Sequence, residues 1–278
     1  MPEASCHRPE ANKNRSMNIN LKDKNALVCG STKGIGYAIA MQLAKCGANV
    51  TLMARNGELL KSIVRDLDTS MGQKHDFLVA DFAVPAQVKE AIEQKAQVHY
   101  IYHILVNNSG GPAAGLAIDA KEEEFLNAFN SHVISSHHLV QSVYTGMKQA
   151  GYGRIINIIS TSVKIPLRGL GVSNTIRGAM GNYSKTLANE LAPFKITVNN
   201  VLPGATATDR LKQIIDNKAQ KQQHSTDEVS KEMMSEIPMG RFAEPNEIAF
   251  AVAFLASEFA AYITGINVPV DGGRTGNL

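Results

Sequence analysis

Short runs of β-branched and other apolar residues alternate along the chain with longer segments in which apolar residues recur at helical spacing. The short runs predict strands at 25–29, 49–53, 76–80, 101–106, 154–159, 197–202 and 267–270. The longer segments predict helices at 36–48, 58–71, 85–97, 122–150, 173–192 and 245–257. This alternation is typical of repeated βαβ units. It predicts an α/β fold: a doubly wound, seven-stranded parallel sheet with helices on both faces.

One segment, residues 208–239, departs from this pattern because it is charged and rich in glutamine. It follows the sixth predicted strand, at the carboxyl edge of the sheet where ligands bind in open α/β folds. We interpret it as a substrate lid. A solvated helical hairpin without a ligand role explains the same composition.

Length and the first residues set the domain organisation. A chain of 278 residues suits one large α/β domain,, which we place at 21–278. Residues 1–20 are polar and lack the apolar core of a signal peptide, so we expect an extension that precedes the domain,. No apolar run is long enough to span a bilayer,.

Charge and cysteine content exclude several classes of function. The 28 basic and 25 acidic residues are too evenly balanced to indicate a nucleic-acid or membrane surface, so a small-molecule substrate is expected,. Cys6, Cys29 and Cys46 are odd in number and lie far apart. That pattern argues against a disulfide framework and fits a reducing cytoplasm. Neither a Cys/His cluster nor an H-E-x-x-H motif predicts a metal,.

A glycine-rich turn joins the first predicted strand directly to an amphipathic helix; it reads Gly30, Ser31, Thr32, Lys33, Gly34, Ile35, Gly36. Glycines at such a junction let the backbone approach a pyrophosphate, and the N-terminus of the helix meets its charge. The second strand ends at Arg55 without an acidic residue that could bind a ribose 2′-hydroxyl,. Arg55 and Lys33 could instead bind a 2′-phosphate, which favours NADP(H) as the cofactor.

Later motifs make the resemblance specific. The glycine turn, Asn107-Asn108-Ser109-Gly110, Pro203-Gly204-x-x-x-Thr208 and Val270-Asp271-Gly272-Gly273 resemble, in order, the motifs of the short-chain dehydrogenase/reductase family, and of its 3-oxoacyl-ACP reductases in particular. The resemblance implies a single-domain Rossmann fold. It also implies a homodimer or homotetramer built on the long helices at 122–150 and 173–192.

The resemblance assigns further cofactor contacts residue by residue. It implies that Asp81 and Phe82 flank the adenine and that Thr206 and Thr208 hold the nicotinamide end. Asn108 would lie along the cofactor. The same motifs add Ser109, Gly110, Pro203 and Gly204 to the cofactor site.

At the catalytic positions the sequence departs from the family pattern, which is a serine followed by Tyr-x-x-x-Lys, with an asparagine on the preceding helix. Ser160 falls on the serine position. Ser173 falls on the tyrosine, Arg177 on the lysine and His132 on the asparagine. The interval from Ser160 to Ser173 equals that of the family, which argues against a slipped alignment. Arg177 would still contact the cofactor ribose.

These substitutions change the available chemistry. A serine hydroxyl is far less acidic than a phenol, and Arg177 keeps its proton. His132 could supply the missing acid because imidazole titrates near neutral pH, or it could serve only as a buried hydrogen-bonding group. Lys164 and Arg168 flank the expected cleft and could either favour an anionic substrate or remain solvated loop charges.

Two functions are therefore open. The first is an NADP(H)-dependent oxidoreductase with an atypical proton donor that reduces a carbonyl or a conjugated C=C bond. The second is an NADP(H)-binding protein without turnover, such as a redox sensor or a non-catalytic partner subunit. The polar character of His132, Ser160, Ser173 and Arg177 favours the enzyme.

Overall fold

The predicted apolar runs form the buried centre of the molecule. A computed structural model describes residues 18–96 and 100–277. Most of the predicted extension, residues 1–17, lies outside the described residues, as does Cys6. Ile19 already packs against the core and Leu21 is buried, with its backbone N–H donating to the Cys46 carbonyl at 2.7 Å.

The strands are short and, except near the sheet edges, almost wholly buried. They are β1 Asn25–Cys29, β2 Asn49–Ala54, β3 Asp76–Val79, β4 Ile104–Asn107, β5 Gly153–Ile158, β6 Ile196–Pro203 and β7 Asn267–Val270. The helices are α1 Gly34–Lys45, α2 Gly57–Asp66, α3 Pro85–Ala96, α4 Glu122–Phe129, α5 Ser135–Ala150, α6 Gly171–Leu191, α7 Asp209–Gln222, α8 Thr226–Ser235 and α9 Pro245–Ala256.

Within the part of the chain that the structure describes, the seven strands form one parallel sheet in the order β3-β2-β1-β4-β5-β6-β7. The chain moves outward from β1 in one direction through β2 and β3, then returns to the other side of β1 at β4. Ligands of open α/β sheets bind beyond the carboxyl ends of the strands at this point of reversal. The fold therefore places the candidate site at the ends of β1 and β4.

Helices cover both faces of the sheet, as the alternation of elements predicts. On one face, α1, α2 and α9 pack on apolar side chains such as Val28, Leu52 and Val106. On the other face, α3, α5 and α6 pack on side chains such as Leu27 and Leu105. Because neighbouring residues of a strand point to opposite faces, each inner strand supplies both cores, so its sequence is a continuous apolar run.

The long helix predicted at 122–150 is interrupted. Residues Asn130–Ile134 form a π-helical turn between α4 and α5. A π turn inserts one extra residue into the helical repeat, so it rotates the side chains on either side of it relative to one another. His132 lies in this turn and is buried.

Several predicted bounds are wrong by a few residues. Helix α2 ends at Asp66 instead of 71, because Leu67 is extended and Asp68 accepts the backbone N–H of Ser70 in a local turn. Helix α1 begins at Gly34 instead of 36, directly after the glycine turn. Strand β4 begins at Ile104 instead of 101.

The charged segment 208–239 forms a helical hairpin, α7 and α8. Leu211, Ile215, Ala219 and Val229 close a small apolar cluster between the two helices. Thr208 caps α7 by accepting the N–H of Leu211, which anchors the start of the hairpin at the sheet edge.

No described helix combines the length and apolar character that crossing a lipid bilayer demands. In the same described ranges, no three His, Cys, Asp or Glu side chains group in a way that could hold a metal ion.

Candidate cofactor and active site

The backbone of the glycine turn between β1 and α1 packs so tightly against its surroundings that a side chain does not fit. Gly30 and Gly34 have φ near +57°, a left-handed conformation that glycine adopts without strain,. A Cβ atom on Gly36 would lie 2.2 Å from the Gly30 carbonyl oxygen and 2.7 Å from the Asn108 side-chain nitrogen. The helix therefore approaches the strand at a distance that only glycine permits, as a dinucleotide-binding turn requires.

Asn108, at the end of β4, fixes this turn from the neighbouring strand. Its side-chain amide donates to the carbonyls of Cys29, at 3.2 Å, and Gly30, at 3.3 Å. Nearby, the Ser31 hydroxyl is fully buried and has no partner among the described residues. A buried hydroxyl normally has a hydrogen-bond partner, so an acceptor such as a phosphate oxygen fits here. The turn thus fits a dinucleotide cofactor.

Cations stand beside the turn where the adenosine end of such a cofactor would lie. Arg55 follows β2 and pairs loosely with Asp81 at 3.9 Å, with 77% of its side chain exposed. Lys33 pairs equally loosely with Asp209 at 3.9 Å. Exposed pairs at this distance contribute little free energy, so either cation can turn to a phosphate.

The Pro203-Gly204 motif and the closing Asp271-Gly272 motif meet at the ends of β6 and β7. The Gly204 N–H donates to the Val270 carbonyl at 2.9 Å, and a Cβ on Gly204 would lie 2.7 Å from the Asp271 Cα. Thr206 is buried and its hydroxyl donates to the Gly204 carbonyl at 3.1 Å. These contacts hold the loop that leads to Thr208, whose Cγ2 atom faces Gly34.

A pocket opens between the ends of β4 and β5 and helix α6, and we call it the Arg177 pocket. Its polar lining comprises Asn107, Asn108, Ser109, Ser131, His132, Ser136, Asn157 and Arg177, and its apolar lining comprises Phe82, Ile158, Ile159 and Met180. The pocket thus brings together five residues that the sequence predicts: Phe82, Asn108, Ser109, His132 and Arg177.

His132 enters the pocket from the π turn. Its Nδ1 atom lies 2.7 Å from the Ser109 hydroxyl, and its Nε2 atom is buried without a partner among the described residues. Burial and the neighbouring Arg177 guanidinium lower the pKa of His132 to about 2. The imidazole is therefore neutral near pH 7 and is a hydrogen-bonding group or relay, not a charged acid.

Arg177 reaches the pocket from α6 with only 8% of its surface exposed. One terminal nitrogen donates to the Ile158 carbonyl at 3.0 Å, and Nε has no partner among the described residues. Burial, followed by the charge of Arg210, lowers the pKa of Arg177 to about 10, so the guanidinium stays charged at neutral pH.

Ser160 and Ser173 are not among the side chains that line the Arg177 pocket. The Ser160 hydroxyl accepts the N–H of Ser162 at 3.1 Å and begins the turn after β5. Ser173 is half-buried on α6, one turn before Arg177. Of the four predicted catalytic residues, only His132 and Arg177 therefore line the pocket.

The sequence analysis missed a row of buried asparagines that crosses the sheet. Asn107 donates to Asn157 at 2.8 Å, Asn157 donates to Asn200 at 3.1 Å, and Asn200 donates to Asn267 at 2.8 Å. These residues occupy matching positions on β4, β5, β6 and β7. Each asparagine lies within or at the end of an apolar run. A polar residue at such a position is the sequence signal from which the row could have been predicted. The row supports the Asn107 edge of the pocket.

Comparison with known proteins places this geometry in context. The family model described as "Enoyl-(Acyl carrier protein) reductase" matches residues 30–275. The 3-oxoacyl-[acyl-carrier-protein] reductase FabG of Pseudomonas aeruginosa is 33% identical over 92% of this chain and 98% of its own length. The NADPH-dependent reductase BacG of Bacillus subtilis is 31% identical over 91% of this chain and 98% of its own.

Solved structures agree with the sequence comparison. L-sorbose reductase from Gluconobacter frateurii, in complex with NADPH and L-sorbose, superposes with a TM-score of 0.88 at 31% identity, covering 94% of this chain and all of the other. YwfH, an NADPH-dependent reductase of bacilysin biosynthesis, superposes with a TM-score of 0.86 at 30% identity, over 92% of this chain and 99% of the other.

Proposed function

Because this chain belongs to the short-chain dehydrogenase/reductase family, we propose that it is an NADP(H)-dependent oxidoreductase that reduces a carbonyl or a conjugated C=C bond of a small molecule. The observation that carries the proposal is the glycine turn, in which Gly36 lies against the Gly30 carbonyl and leaves the helix N-terminus open to a pyrophosphate,. When bound, the cofactor supplies a hydride.

The preference for NADP(H) over NAD(H) rests on charge. Arg55 and Lys33 stand beside the glycine turn, and each is held only by a 3.9 Å ion pair. The guanidinium of Arg55 offers two parallel donors to a 2′-phosphate. Relatives described as NADPH-dependent, or solved with NADPH, support this assignment.

The proton donor is atypical in this proposal. Ser173 and Arg177 occupy the positions at which the family has tyrosine and lysine, and neither releases a proton readily near pH 7. His132 then has the role of a neutral hydrogen-bonding group beside the reacting atoms, through which a proton from water can pass,.

Calorimetric titration with NADPH and NADH tests the cofactor assignment. We expect NADPH to bind more tightly than NADH, and Arg55→Ala to weaken NADPH binding about tenfold to a hundredfold by removing a charge-assisted contact. Arg65→Ala is the matched control, since Arg65 is an exposed arginine in the last turn of α2. Equal loss in both variants, or equal affinity for the two cofactors, would contradict the role of Arg55.

Turnover is tested by following NADPH absorbance with a panel of ketones, 3-oxoacyl thioesters and enones. Consumption of NADPH with any of these compounds supports the enzyme. Tight NADPH binding without consumption across the whole panel would overturn it in favour of a binding protein without turnover.

A further inference from the structure

Arg210, near the start of α7, reaches from the 208–239 hairpin to the loop that follows β4. Its Nη2 atom donates to the Pro112 carbonyl at 2.8 Å. Within residues 18–96 and 100–277, the Arg210 side chain makes no other hydrogen bond and takes part in no ion pair. The side chain is exposed, so most of its N–H donors are open to a ligand,.

Arg210 and the buried Arg177 approach the same short stretch of this loop. A Cβ atom on Gly111 would lie 3.7 Å from Nη2 of Arg177, and the next residue, Pro112, accepts the hydrogen bond from Arg210. After burial, the charge of Arg210 is the next cause of the lowered pKa of Arg177. Two like charges therefore lie close together beside the Arg177 pocket.

The two segments that border this part of the cleft contain no acidic residue. Residues 108–118 follow β4 and have no charged residue at all. Residues 160–189 comprise the loop after β5 and most of α6, and their charged residues are all basic. Asp209, which precedes Arg210, pairs instead with Lys33 of the glycine turn at 3.9 Å. This side of the cleft therefore presents positive charge to a ligand.

A third cation, Arg168, stands beside the same loop. The carbonyl of the residue after it, Gly169, accepts the N–H of Gly115 at 2.8 Å, and the Arg168 side chain is exposed. Pro112 and Gly115 are three residues apart, so the two exposed arginines flank a stretch of chain at most about 10 Å long,.

The position of Arg210 is unfavourable for a residue that serves only the fold. It lies in the first turn of α7, where the helix dipole disfavours a cation, and it lies beside the charge of Arg177,. A bound anion would reverse the sign of both interactions. The planar guanidinium can bind a carboxylate through two parallel hydrogen bonds, a stronger contact than one bond to a neutral carbonyl.

We infer that Arg210 binds an anionic group of the substrate, and that the substrate is a small carbonyl compound that also carries a carboxylate. The inference rests on the proposed function. The carboxylate replaces the Pro112 carbonyl as the partner of Arg210, and Arg168 is the second cation beside it. Arg210 is thus a specificity-determining residue at the start of the hairpin.

Calorimetric titration of the full-length protein, saturated with NADP+, measures this binding without turnover. The probes are three keto acids of increasing size: pyruvate, levulinate and 4-oxocyclohexanecarboxylate. Each is compared with its primary amide, which has nearly the same shape and no charge. We expect at least one acid to bind about tenfold more tightly than its amide, because the contact to Arg210 is charge-assisted. Equal affinity in all three pairs, or no binding of any acid, would overturn the inference.

Variants assign the preference to Arg210. In Arg210→Gln we expect the preference for the acid to fall below about threefold, whereas Arg210→Lys, which keeps the charge without the planar fork, should retain part of it. Lys212→Gln removes an exposed charge from another face of α7 and should bind the acid as the wild-type protein does,. Circular dichroism establishes that each variant is folded. A preference that survives in folded Arg210→Gln, or that Lys212→Gln loses equally, would refute the role of Arg210.

Titration with NADPH separates the substrate from the cofactor as the source of the anion. We expect Arg210→Gln to bind NADPH within about threefold of the wild-type affinity, because the cofactor phosphates lie at the glycine turn in the proposed complex. A larger loss would assign Arg210 to those phosphates and overturn the inference.

Steady-state kinetics distinguishes this inference from the proposed function. For the acid that binds most tightly, we expect Arg210→Gln to raise KM about tenfold with little change in kcat, and to leave KM for the amide unchanged. Equal kcat/KM for acid and amide would refute the anion site and leave the oxidoreductase in place. Binding of the acid through Arg210 without NADPH consumption by any compound tested would refute the proposed function and leave the anion site in place.

Discussion

Acid should weaken the folded state through His132. The imidazole is 4% exposed, and burial together with the Arg177 charge lowers its pKa to about 2. In the unfolded chain the pKa of a histidine is about 6.5. Below that value the unfolded chain binds a proton that the folded protein does not, so its free energy falls relative to that of the folded state.

The expected size follows from the separation of the two pKa values. The stabilisation is complete above the unfolded pKa and declines as the pH falls, until the folded pKa is reached. From about pH 8 to about pH 5, His132 alone should remove about 2 kcal/mol from the free energy of unfolding. The lowered pKa of His103 adds a loss of the same sign.

Urea denaturation at a series of pH values measures this contribution when the wild-type protein is compared with His132→Asn. Asparagine fits the site in size and does not titrate, so the difference in unfolding free energy between the two proteins should change by about 2 kcal/mol between about pH 8 and about pH 5. The contribution of His103 cancels because both proteins contain it. Parallel stability curves would refute the buried, neutral state of His132.

Two further predictions concern the glycine turn and the row of asparagines. Gly36→Ala should abolish measurable NADPH binding in calorimetry, because its Cβ would lie 2.2 Å from the Gly30 carbonyl; Gly178→Ala, where a Cβ meets open space, should bind normally, and equal affinities would contradict the close-approach argument. Asn157→Leu should lower the urea-derived free energy of unfolding by about 3 kcal/mol, because it leaves several buried polar groups without a hydrogen-bond partner. Asn267→Ala, at the less buried end of the row, should cost about 1 kcal/mol, and a reversed order would contradict the proposed hydrogen-bond row,.

Much of the fold could be predicted from the sequence because burial on both faces forces continuous apolar runs. Strand 25–29 matches the structure at both ends for that reason,. Strand 267–270 also matches, although it is a partly exposed edge strand. The glycine turn was equally predictable, since a strand followed by clustered glycines and a helix admits few alternatives. Helix ends were less predictable because local turns such as that at Asp68 decide them.

The arrangement of the side chains inside the site depends on features that the local sequence pattern does not predict. His132 lies in the π turn at Asn130–Ile134, whereas the spacing of apolar residues predicts one continuous helix at 122–150. The asparagine row depends on the register of four strands distant in sequence. Sequence could name His132 and Arg177 as candidates, but their shared pocket and free nitrogens required the structure.

The proposal that Ser173 and Arg177 stand in place of the family's tyrosine and lysine favours altered chemistry over lost chemistry. Burying a guanidinium without a counter-charge costs several kcal/mol, whereas an apolar side chain in its place would cost nothing of the kind. Met180, three residues further along α6, shows that this wall of the pocket accepts such side chains. We therefore expect the buried guanidinium to serve a bound group, such as the ribose hydroxyls of the cofactor, and not the stability of the unliganded fold,.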